Sequence, residues 1–591
     1  MRNTFAVLSS LTLILIGSFH PLSAADLPAA ANEDVQLRAM LEELNRAKTL
    51  QLSNLDKPYY IAIASDDSQS IEITGSLGGI LSSTAAHVRM PEVRVRVGSY
   101  TFDNTNSVFS SSASFGALPL DDNYLTLRTA LWLVLDQRYK ISAEEIARKR
   151  NALREISAPS DTSDFSLAAP FQLLQPIPPL TADRAKWEEI VRNLSARFRA
   201  HPAITSSSVR MRAISSGFRL VTTEGTLVRV PQSISQIDIR SSGTAADGSN
   251  VWNHKLIAVL RASELPDAQQ LQTDVDAVAG ETEALLKAPV AEEYSGPVLF
   301  EGEAAAEMMA QVLTDATRLS RKPVAPPEMQ AEAQVLDGVW ASRMGAKVTP
   351  EGLSIVDDPS QKVFQGQPLA GQYDVDEEGV PTGRVTLVNK GILKGFLLTR
   401  QPVRNFHASN GHARLPGAWG AELPVFGNVF VTAAETVPES QMRTKLMEKV
   451  KAAGLKYGVV IRRLDFPSTA DVEDLQALAA QLQKGGSTRS LTPPLIAYRV
   501  YPDGHDELVR GLRFKDFSAK DLRDVDSASD RSFVLNYQNN GNSFNWLNAT
   551  AAATSSSVIC PSLLFDSVDL DRAQGDGAKP PIVPPPPVDG Q

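Results

Sequence analysis

The stretch from Ser295 to Leu313, SGPVLFEGEAAAEMMAQVL, holds the side chains whose types and spacing come nearest to a reactive site. Pro297 to Phe300 is a short apolar strand, and an Ala/Glu/Met/Leu/Gln helix follows it. The helix offers Glu303, Glu307, Met308 and Gln311, and no histidine. Two imidazoles little more than one helical turn apart could converge on one ion. Carboxylate, thioether and amide groups at this spacing do not make a comparable zinc site.

The other chemistry-bearing residues are scattered. There are 7 histidines, none in H-E-x-x-H and none close-paired on a helix. His407 and His412 lie five apart in a Gly/Asn loop, where they could meet a ligand or serve as contacts at a cleft rim. Asp374, Asp376, Glu378 and Gly379 mimic the start of a calcium loop. Its twelfth position would be Val385 where the ion requires a bidentate Glu, so a hairpin turn fits better. No G-x-S-x-G elbow, phosphate loop or G-x-G-x-x-G fingerprint occurs. The Ser/Thr clusters at Ser206 to Ser208 and Thr554 to Ser557 have no paired base in view. The single cysteine, Cys560, excludes an intramolecular disulfide. Between Ile559 and Pro561 it reads as a buried, inert thiol.

The elements that must position these residues fall into two halves. The first opens with a helix over Glu33 to Leu52 and a buried strand at Pro58 to Ala64. Val93-Arg94-Val95-Arg96-Val97 alternates apolar and basic residues, the mark of a half-buried strand. Two helices follow, Asn123 to Asp136 with Asp121 and Asp122 as candidate caps, then Tyr139 to Ile156. After a Pro-rich loop come a helix from Ala182 to Phe198, a β-rich stretch over 207–262 with turns at Thr223 to Thr226 and Ala246 to Ser249, and a helix from Asp267 to Leu286. The second half is β-dominated. Strands are expected at Leu353 to Asp357, Arg384 to Val388, Gly395 to Thr399, Pro424 to Val431, Leu495 to Tyr501, Leu508 to Leu512 and Leu563 to Val568. Helices at Glu439 to Ala453 and Asp471 to Leu482 interrupt them. The domain reading is 1–25 signal peptide, 26–288 α/β domain, 289–572 β-rich domain and 573–591 Pro-rich tail.

With 591 residues the chain is long enough for two or more domains. A net charge of −10 without a long basic run argues against nucleic acid as a partner. Arg2, the apolar run Phe5 to Ile16 and the small residues Leu22-Ser23-Ala24-Ala25 match a secretory signal, with cleavage after Ala24 or Ala25. No later segment reaches the ~18 apolar residues of a membrane span. An exported, periplasmic protein is expected.

Five blocks, in order, resemble the TldD/PmbA family (peptidase U62-like). They are Arg94 to Gly98 with Phe102-Asp103-Asn104-Thr105-Asn106; Leu118 to Asp122 with Leu127, Arg128, Trp132 and Asp136 to Lys140; Gly371 to Pro381, GQYDVDEEGVP, with Thr386 to Val388, Gly391 to Leu397 and Thr399-Arg400; Ser409 to Arg414, similar to the family's Gly-x-Ala-Arg loop; and Leu508 to Gly511 with Pro561 to Leu564. The resemblance implies an α+β architecture, with an N-terminal α/β domain, a β-rich C-terminal domain and dimers enclosing a cleft. Zinc-binding members carry His-Glu-x-x-x-His where this chain has its histidine-free helix, and a Cys followed by Gly. Cys560 is followed by Pro561 and lies later than that ligand position.

The expectation is therefore an exported, metallopeptidase-related protein with no cofactor and no catalytic residues, the non-catalytic partner or peptide-binding subunit of a proteolytic assembly. The alternative is an active metallopeptidase acting on unfolded peptides through non-standard ligands. Asn410, Gly411, His412 and Arg414 are the expected cleft rim. Expected partners are peptide or unfolded protein and a TldD-like paralogue, in a homo- or heterodimer.

Overall fold

The computed structural model describes residues 29–573, except 52–54, 112–113, 157–161, 336, 468–490 and 542–552. The expected signal peptide, the Asp471 to Leu482 helix and nearly all of the Pro-rich tail lie outside the described residues. No helix among the described residues is long and apolar enough to cross a membrane.

The architecture is α+β. Helix α1 (Val35–Ala47) is capped by Asp34 and precedes a hairpin of two 19-residue strands, β1 (Pro58–Ser76) and β2 (Gly79–Val97). Helix α2 (Tyr124–Glu155) is continuous over 32 residues. The two helices expected there are one, because Leu127, Leu131, Leu135, Tyr139 and Ile146 keep one buried stripe through the supposed break. Asn123, rather than Asp121 or Asp122, caps it through Thr126 N. Helix α3 (Arg184–Ala196) leads to three antiparallel strands, β3 (Ser206–Thr222), β4 (Leu227–Thr244) and β5 (Asn250–Val259), and helix α4 (Ala268–Lys287) closes this half. Strands run in the order β2–β1–β3–β4–β5.

One face of this sheet is covered by helices. Ile61, Ile63, Val93 and Val95 meet the apolar sides of α1 and α2. Ile73, Val209 and Met211 meet those of α3 and α4. The opposite face carries Tyr60, Ala62, Leu220 and Val228 and receives Val375 from the second half. Period-two alternation places Glu92, Arg94 and Arg96 on that opposite face too.

The second half is built on a larger, mixed sheet. Strand β6 (Tyr294–Phe300) feeds helix α5 (Gly302–Ala316). Strands β7 (Leu353–Asp357), β8 (Val385–Asn389), β9 (Ala413–Pro416), β10 (Glu422–Pro424) and β11 (Asn428–Ala433) follow, then helix α6 (Met442–Ala452). Strands β12 (Gly458–Leu464), β13 (Pro494–Val500), β14 (Asp506–Val509), β15 (Val525–Asn539) and β16 (Thr554–Arg572) complete it. The order is β8–β7–β11–β16–β6–β12–β13–β14, with β15 also on β16, while β9 and β10 form a separate two-stranded hairpin. Helix α5 shares a core with Val558, Cys560 and Leu563 on one face. Helix α6 packs with Leu299, Val460 and Leu564 on the other. Gly395 to Thr399 is not a strand, and β15 was not anticipated.

Candidate functional site

Helix α5 is where the sequence left a metal question open. Its first-turn Glu303 pairs with Arg463 at 3.3 Å. Glu307, 1% exposed, accepts the Leu464 N–H at 2.7 Å. Gln311 donates to Thr492 Oγ1 at 2.9 Å and accepts Thr492 N–H at 3.0 Å. Burial, then the neighbouring charge of Glu303, holds the Glu307 carboxyl well above the usual carboxylate range. A carboxyl that keeps its proton is a poor metal ligand, and both ends of the Gln311 amide are engaged. These residues do not supply a family-type zinc donor set. Cys560 lies in the buried core under α5, its Sγ directed to Pro561 O at 3.3 Å, and burial pushes its thiol up. Among the described residues, no group of three or more His, Cys, Asp and Glu side chains is arranged to hold a metal ion.

The loop expected as a rim is an internal strut. His412 and Asp357 are both fully buried and lie 3.3 Å apart. His412 Nδ1 meets Asn410 O at 2.9 Å. Asn410 accepts Leu398 N–H at 2.8 Å and donates to Phe396 O at 2.9 Å. Arg414 lies over the Tyr373 ring, 4.1 Å from its centroid, and donates to Ser555 O at 3.0 Å. Gly411 has φ +80°, and a Cβ there would sit 2.4 Å from Pro381 O. The close approach that this glycine permits is to its own chain. The expectation that His412 and Arg414 are surface positions is therefore corrected: both are buried, and their side chains are consumed by contacts with Asp357 of β7 and with Thr554 and Ser555 of β16, which lie far away in sequence. His407 is exposed, so it does not join the buried His412.

The acidic turn from Asp376 to Val380 resolves as an Asx turn, not an ion loop. Asp376 accepts the N–H groups of Glu378, Val380 and Ala413 at 3.0, 2.8 and 3.1 Å. Gly379 has φ +80° and sits so close to Thr226 that a Cβ would approach its Cγ2 to 2.7 Å. The turn thus plugs the second half into β3 and β4.

An open groove lies on the other side of the β9–β10 hairpin. It is shallow and open to solvent, and is walled by Thr314, Arg318, Leu319, Leu423, Phe426 and Asn539. The C-terminal end of α5 forms one wall and β10 another. Its lining mixes apolar side chains with Thr314, Thr317, Arg318 and Asn539. Nothing in the sequence marked it, because its walls come from four separated segments.

The family model of the PmbA/TldA metallopeptidase C-terminal domain matches residues 293–466, which span β6, α5 and the hairpins just described. Residues 293–466 thus match the C-terminal domain of the TldD/PmbA family. A protein named metalloprotease from Archaeoglobus fulgidus is 32% identical over 93 residues, 15% of this chain and 20% of that protein. A second, also named metalloprotease, from Methanothermobacter thermautotrophicus, is 23% identical over 202 residues, 34% of this chain and 40% of that protein. The chain thus spans well under half the length of these curated relatives. The fold is that of TldE from Thermococcus kodakarensis, with a TM-score of 0.56 at 12% identity over 90% of this chain and 100% of the other. A Thermotoga maritima protein described as a putative modulator of a DNA gyrase gives 0.53 at 13% identity over 86% of this chain and 96% of the other.

Proposed function

We propose that this chain is an exported TldD/PmbA-like subunit that holds extended polypeptide and does not itself hydrolyse it. The observation that carries this reading is the engagement of Glu307 and Gln311 with Leu464 and Thr492. The helix face where zinc-binding members carry histidines is used here to fix the chain leaving β12. The groove walled by Leu319, Leu423 and Phe426 is the proposed seat for an apolar side chain of the bound polypeptide. The proposed assembly is a dimer, with a second copy or with a zinc-bearing paralogue that supplies the chemistry. The names of the two relatives favour the opposite reading, an active metallopeptidase. Elemental analysis of protein purified from the periplasm without added metal separates the two. The proposal expects well under one equivalent of zinc and a mature N-terminus at Ala25 or Asp26. One equivalent of zinc contradicts it.

A further inference from the structure

We propose that the contact between the N-terminal sheet and the hairpins of the second half is closed by a proton held on the buried carboxyl of Glu422 beside Arg94, and that its loss loosens the contact. This inference does not depend on the peptide-binding reading.

The geometry is a shortage of cations around a buried Glu422 and a half-buried Glu377. Arg94 on β2 pairs through Nε with Glu422 Oε1 at 2.9 Å, through one terminal nitrogen with Glu92, and donates through the other to Glu377 O at 3.1 Å. One guanidinium therefore serves two carboxylates and a carbonyl. The Glu422 side chain is 6% exposed, and its Oε2 has no hydrogen-bond partner among the described residues. A buried carboxylate oxygen without a donor is costly, whereas a proton turns the group into a donor itself. Glu377 makes no side-chain hydrogen bond among the described residues.

The surrounding charges do not relieve the shortage. On β9, Arg414 directs its nitrogens to Ser555 O, Phe426 O and Thr554, so it lends Glu377 its charge but no hydrogen bond. His412 beside it is paired with Asp357 of β7. On β2, Arg96 is committed to Asp103 at 2.9 Å. From the turn, Asp376 and Glu378 add negative charge. Glu378 accepts Arg400 N–H at 2.6 Å, while the Arg400 guanidinium is paired with Glu224. From β1, Asp66 adds more, with Arg219 nearby and Ser216 as its hydrogen-bond partner. The neutral hydroxyls of Tyr60 and Tyr373 complete the surroundings.

The titration directions agree with this geometry. Burial, opposed by Arg94 and reinforced by Glu92, holds Glu422 well above the usual carboxylate range. Burial and Glu92 push Glu377 up to about 8, and burial and Glu378 push Asp376 up to about 7. Each folded-state value lies above the unfolded one. The proton-linked stability is complete in acid, declines once pH passes the unfolded value near 4, and is gone above the folded values.

Hydrogen exchange of the full chain, read by mass spectrometry between pH 6 and 9 and corrected for the intrinsic rate, tests the proposal. Protection in peptides covering 373–380 and 411–424 is expected to fall by up to about tenfold per pH unit for each proton released, while 558–564 in the opposite core stays constant. Glu422→Gln keeps the shape without the ionisation and should flatten the fall. Glu377→Gln, at a half-buried side chain, serves as the second variant should the first not fold. Flat protection in the wild type overturns the proposal, and so does an unchanged slope in every variant that folds.

Discussion

Gln311 and Thr492 hold each other twice, side chain to side chain at 2.9 Å and backbone N–H to side-chain oxygen at 3.0 Å. The pair ties the buried face of α5 to the entry of β13. Gln311→Ala leaves the Thr492 N–H buried without an acceptor, which costs about 1–3 kcal/mol. Urea denaturation should show that loss as a lower midpoint with an unchanged slope. An unchanged midpoint would mean that the pair holds nothing.

Buried His412 and the solvent-lined groove should respond oppositely to substitution. His412→Ala removes a fully buried ring beside Asp357 and should cost about 2 kcal/mol or more. Leu423→Asp sits at the groove wall and should lower the melting temperature little while weakening capture of denatured casein at least tenfold. Equal capture by wild type and Leu423→Asp, measured by fluorescence anisotropy, removes the groove from the binding account.

His254 on β5 is buried, and burial, with Arg463 and Arg240 adding, lowers it to about 3. Its folded value lies below the unfolded one. The stability it confers as a neutral ring is present above about 6.5 and lost as pH falls through that value toward 3. His254→Leu should therefore gain on the wild type as pH drops from 7 to 5, by up to about 1.4 kcal/mol per unit. Denaturation curves displaced equally at both pH values would refute this.

Cys560, fully buried on β16, should not react with a thiol reagent such as DTNB in the native protein, and should react with one equivalent after unfolding in guanidinium. Rapid native labelling would place the thiol at a surface.

Much of the fold was legible because periodicity survives burial. The β7 strand, the turns at Thr223 to Thr226 and Ala246 to Ser249, and the helix capped by Asp267 follow from local pattern alone. The candidate site was less so. Arg94 and Arg96 alternate with valines, and the pattern placed them toward water. In the structure they are buried by partners such as Glu422, more than three hundred residues away. His412 was read as a rim residue for the same reason: a Gly/Asn-flanked loop looks exposed until the β7 carboxylate that covers it is known. Helix α2 was expected as two helices, and nothing local in the sequence marks its Arg138, Glu145 and Lys149 as buried. They are buried, Arg138 on Glu145 at 2.9 Å and Lys149 on Asp164 at 2.6 Å.

The central claim is that this chain binds polypeptide without cutting it. Denatured, fluorescein-labelled casein should be incubated with the purified mature chain, recovered from the complex and weighed by intact-mass spectrometry. The account predicts casein of unchanged mass, with or without EDTA. Casein fragments that disappear when EDTA is present would contradict it and establish an active metallopeptidase.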